Sequence, residues 1–157
     1  MGVLFVLLTL NVCLMKTVTL LIALLFINNC VENKNKEDVV VQYKYEAITR
    51  GSSFICIVSE NKVIVSTTGT VGNQNLKEVS NEDWGILVKY IELVDLVALE
   101  NLVPPSDDNK SDKVRIATLT VTTINHSYKS EPFDEGNPPK ELVPIIDKII
   151  AIAKTVD

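Results

Sequence analysis

The chain has 157 residues, 46% of them hydrophobic, and a formal net charge of −5, a length that suits one domain with one core. Lys16 is the only charge before Cys30, so residues 30–157 carry 14 basic and 20 acidic side chains, net −6. An acidic body with no Lys/Arg cluster excludes a nucleic-acid partner, whose affinity comes mostly from basic patches.

Residues 3–27 are apolar apart from polar breaks such as Asn11 and Lys16. Starting from Met15, which is a second candidate initiator, the run has the form of a secretory signal. Lys16 is the positive end, Thr17–Ile27 the apolar segment, and Asn28-Asn29 the polar approach to Cys30. Phe26-Ile27-Asn28-Asn29-Cys30 resembles a bacterial lipoprotein signal, with Asn29 in place of the usual small residue before the cysteine. The polar stretch "VENKNKEDVV" that follows resembles the tethers of Bacteroidota lipoproteins. The resemblance implies lipid attachment at Cys30, residues 1–29 as leader, residues 30–38 as tether, and a bacterial cell-envelope location, with the outer membrane favoured. Simple secretion and an uncleaved N-terminal anchor are the competing readings.

Of the three cysteines, Cys13 and Cys30 lie in or beside the leader. Cys56, in "SSFICIVSE", reads as a small apolar residue of a buried strand. No Cys/His spacing suggests a metal site, and no cofactor is expected.

Residues 39–157 read as a single α+β domain. "VVVQYKYEAITRG" alternates, with Val39, Val41, Tyr43, Tyr45 and Ala47 on one side and Gln42, Lys44 and Glu46 on the other, so it predicts a strand with one wet face. "SSFICIV" is apolar on both faces and predicts an interior strand; "SENK" turns, and "VIVST" returns. "TTGTVGNQNLKE" reads as loop. Ser80, three residues before Asp83, predicts a capped helix start, and Trp84, Leu87, Val88, Ile91 and Val94 form its buried stripe, with Trp84 a core anchor. Asp107, Asn109 and Ser111 alternate as in a calcium loop, but Asp112 and Thr118 stand where glycine and glutamate are required. In "VRIATLTVTTINHSYKSEPF", Ala117, Leu119 and Val121 face one way and Thr118, Thr120 and Thr122 the other, with a hairpin near His126. "FDEGNPP" reads as a turn cluster. A closing helix buries Leu142, Ile145, Ile146, Ile149 and Ala153, and Pro144 requires either a start near Val143 or a kink. The order βββ-α-ββ-α predicts a mostly antiparallel five-stranded sheet with two helices on one face.

No P-loop, Rossmann glycine pattern or G-x-S-x-G is present. His126, the one histidine, would have to serve any triad; a small envelope hydrolase using His126 with a carboxylate such as Asp134 is the alternative reading. Asp134-Glu135 read as solvated turn acids rather than a glycosidase pair. The chain is therefore expected to be no enzyme. The threonine face of Thr118, Thr120 and Thr122, with Tyr43 and Tyr45 nearby, is the candidate surface for a protein or glycan partner, since both residue types offer hydrogen bonds at low entropic cost.

The strand closing on "TRGS", the helix followed by "DLVALE", the strand "TLTV" and the Pro-Pro turn before the last helix resemble the plan of emfourin-type inhibitors of thermolysin-like metalloproteases, over Tyr43–Ala153. That resemblance implies protease inhibition. Gly51-Ser52 stands where a longer glycine-rich turn belongs, so it transfers no inhibitory residue.

Overall fold

The computed structural model describes residues 39–69, 73–106 and 114–156. The leader, Cys30, the tether and the Asp107–Ser111 segment lie outside the described residues. The described residues all belong to one compact unit, Lys36–Asp157.

The domain is α+β. Its strands are β1 (Val40–Ile48), β2 (Ser53–Ser59), β3 (Lys62–Thr68), β4 (Asn73–Lys77), β5 (Ile116–Thr123), β6 (Ser127–Lys129) and β7 (Phe133–Asp134). The helices are α1 (Asn81–Ile91) and α2 (Val143–Ala153), with a short 3-10 turn at Leu99–Asn101. Every strand pair is antiparallel, in the order β4-β3-β2-β1-β5-β6, and β7 joins the free end of β5.

The sheet thus has seven strands rather than the five expected. β4 lies in what read as loop, and β7 in what read as a turn cluster. Both are made by their partners. "NQNLK" has one apolar side chain and pairs as an edge against β3, while Phe133 and Asp134 pair with Ala117 and Ile116 before Gly136, at φ 85°, turns the chain. An edge strand with few buried positions has no alternation to reveal it.

Period-two alternation sets the two faces of the sheet. Tyr45 opposes Cys56 and Leu119, and Tyr43 opposes Val58 and Val121; all six are buried. One strand start departs from the expected phase. Val39 and Val41 are exposed while Val40 packs on the core, because a register shift between Val40 and Gln42 inserts an extra residue.

α1 starts as the sequence predicts. The Asp83 backbone N–H donates to Ser80 Oγ at 3.1 Å, and that hydroxyl donates to Asp83 Oδ2 at 2.7 Å. Lys148 of α2 reaches the same carboxylate, Nζ to Oδ1 2.6 Å. The Trp84 ring, half-buried, meets Tyr43 edge-on at 5.4 Å. α2 begins at Val143 with Pro144 in its first turn, where a missing N–H costs nothing. Its predicted stripe is buried in full, and Cys56 Sγ lies 4.0 Å from the Ile149 carbonyl.

Candidate functional site

Cross-strand register carries side chains of equal parity in rows across the sheet. On the face opposite Tyr43 and Tyr45, one row reads Leu76, Ile64, Ile57, Lys44, Thr120, Lys129 from β4 to β6. The next reads Gln74, Ser66, Ile55, Glu46, Thr118, and a third Lys62, Ser59, Gln42, Thr122, Ser127. The face is therefore apolar at its β3–β2 side and hydroxylic at its β5 side.

The three threonines lie on one side of one strand, but Thr118 is not exposed as a wet face requires. Thr120 and Thr122 are half-buried, and Thr118 is buried at 8% exposure. Their cross-strand partners are Lys44, Gln42 and Glu46. Between them, Lys44 Nζ and Glu46 Oε1 pair at 2.7 Å, so the middle of the face is polar and nearly neutral.

Tyr43 and Tyr45 are not part of this surface. They lie on the other face at 0% and 1% exposure, and not beside the threonines as the sequence predicts. Register explains the difference: Tyr43 and Tyr45 oppose Val121 and Leu119, which share the buried parity, while Lys44 opposes Thr120. Their environment is apolar. Burial foremost, then the Glu92 charge, holds the Tyr43 phenol far above its ordinary value. The Tyr45 phenol is pushed up to about 12 by burial and the Glu135 charge, against the lowering effect of Arg115. Neither hydroxyl has a protein partner among the described residues.

His126 and Asp134 do not converge. His126 is exposed in the β5–β6 turn, where its carbonyl accepts from the Thr123 N–H at 2.8 Å and its own N–H donates to Thr123 Oγ1 at 3.0 Å. Asp134 is buried and pairs with Ile116 at the opposite end of β5, roughly 23 Å of strand away. Ser106 Oγ donates to the Asp134 carboxylate, and Asn137 Nδ2 donates to Ser106 Oγ at 2.7 Å. This cluster ties Ser106 to the β7 turn. Among the described residues no group of acids, histidine and cysteine could hold a metal ion, and no helix is long and apolar enough to cross a membrane.

The apolar half of the face, Ile55, Ile57, Ile64 and Leu76, was absent from the sequence expectation. Its signal is present in β2, which is apolar on both faces and lies inside the sheet as expected, with one of those faces half-open. Leu76 could not be placed because its strand was unread.

The fold and this face define an antiparallel α+β domain with a packed face and a mixed apolar–hydroxylic one. Compared with known proteins, the chain matches no family model, no curated protein and no solved structure.

Proposed function

We propose that the chain is a lipid-anchored protein of the bacterial cell envelope, attached to the outer membrane through Cys30. Its domain, with both helices on one side of the sheet, is a non-catalytic binding module for a polypeptide. What supports this reading most is the row Leu76–Ile64–Ile57–Lys44–Thr120. Leu76 is 65% exposed on the edge strand β4. An extended segment crossing the face there gains apolar contact from Leu76, Ile64 and Ile57 and hydroxyl contacts further in. Inhibition of a thermolysin-like metalloprotease is the sharpest form of the proposal, in line with the resemblance carried by "TLTV" and "DLVALE".

A photo-cross-linking amino acid placed at Leu76 and, separately, at Thr120 in the native host tests it. An adduct with a metalloprotease supports the inhibitor form, and an adduct with another envelope polypeptide supports the binding module alone. Cells in which neither position yields an adduct overturn the reading.

A further inference from the structure

We infer that the end of the domain where β1 begins rests on the bilayer surface, with Val39, Val41 and Ile124 in the interfacial layer. The inference builds on the lipid-anchored reading. Val39 is 52% exposed, Val41 41% and Ile124 61%. Val39 and Ile124 adjoin, since the Ile124 N–H donates to the Val39 carbonyl at 3.1 Å and Val40 pairs with Thr123, and Val41 lies two residues further along the same strand start. Isolated exposed aliphatics need no explanation, but these three gather where the chain leaves for Cys30.

The flanking chemistry suits an interface between lipid and water. The exposed His126 ring and the half-buried Tyr128 ring lie 6.1 Å apart, two and four residues after Ile124, and an aromatic ring with a polar tip, as in Tyr128, favours headgroup depth. The turn Ile124–His126 contains no acid that would repel an anionic headgroup. Glu60 and Lys62, in the β2–β3 turn at the same end, carry opposite charges. Glu37 and Asp38 stand directly before Val39 in the sequence, so approach to the surface here rests on apolar contact and not on a basic patch.

Tether length selects this end over the other. Residues 30–38 span at most about 30 Å when fully extended. The far end also exposes an apolar pair, Ile48 opposite Ile116. That pair lies roughly 25–30 Å down β1 from Val39. To lay it on the bilayer, the tether would have to double back along the strand at nearly full extension. The near patch needs no such stretch.

The test uses acylated protein purified from membranes, carrying either Ile124→Cys or, as control at the opposite end, Gly51→Cys. A Cβ at Gly51 meets no atom within 4 Å. Acylation blocks Cys30 and burial shields Cys56, so a nitrobenzoxadiazole fluorophore goes to the introduced thiol. The protein is reconstituted in phosphatidylethanolamine/phosphatidylglycerol vesicles containing a nitroxide-labelled lipid. Quenching several-fold stronger at position 124 than at 51 is expected. Equal quenching, or stronger quenching at 51, overturns the inference while the anchor stands. An intact mass lacking acyl chains on Cys30 overturns the anchored reading, and this inference falls with it.

Discussion

Tyr43 and Tyr45 show how much one residue's side of a strand decides. Their alternation was legible in "VVVQYKYEAI", and so was the set that shares their side; which neighbour's parity they meet was not, because register is made by the partner strand. Once buried, each phenol keeps its apolar ring in the core at the expense of a hydroxyl with no protein partner. Such a group costs about 1–3 kcal/mol if it stays unpaired. Tyr43→Phe retains the ring that meets Trp84 and removes the hydroxyl, so its stability should equal the parent's or exceed it by about 1 kcal/mol. Urea unfolding with an unchanged m-value measures this. A loss of more than ~1 kcal/mol would mean that the hydroxyl is hydrogen-bonded in solution.

At the scale of the element, legibility follows locality. The start of α1 could be read because its cap is an interaction three residues long: Ser80 and Asp83 satisfy each other wherever the helix lies. Pro144 was equally informative, since its place in the first turn of α2 is fixed by its own ring. β4 and β7 offered nothing comparable. Ser80→Ala should destabilise the domain by about 1 kcal/mol. The effect should depend on pH. Hydrogen bonds from Lys148 and then Ser80 hold the Asp83 carboxyl below its ordinary value. A carboxyl depressed in the folded state contributes stability above its unfolded value of about 3.9, and loses it as pH falls through the folded one. The penalty of Ser80→Ala should therefore be largest near neutrality and shrink in acid, as chemical denaturation at pH 7 and pH 3 will show. A penalty unchanged in acid would detach the serine from the carboxylate.

For the whole molecule, the core titrates from the alkaline side. Burial pushes the Cys56 thiol from 9.0 up to about 12, and its cross-strand neighbour Tyr45 rises from 10.0 to about 12. For an acid whose folded value is raised, the unfolded chain loses its proton first, so stability falls as pH climbs past the ordinary value. Denaturation midpoints should hold steady to about pH 9 and then decline, Cys56 first and the tyrosines from about pH 10. A profile flat to pH 11 would show that these groups ionise without opening the core. The overall α+β class could be read from alternation and helical spacing, whereas β7, and with it the place of Asp134 far from His126, depends on pairing with β5 across the intervening β6, and the half-open apolar face is completed by β4, a polar edge strand with no alternation to reveal it.

The central pairing of β1 with β5 also has a consequence in time. β1 through β4 can zip together as successive hairpins while the chain emerges, but the other edge of β1 waits for Ile116–Thr123. Closing that long loop is the entropically costly step and slows folding relative to a simple meander. During the wait, β1 presents an unpaired backbone edge to any neighbouring chain. The half-built sheet is therefore the most aggregation-prone stage of folding, and it ends only when β5 docks.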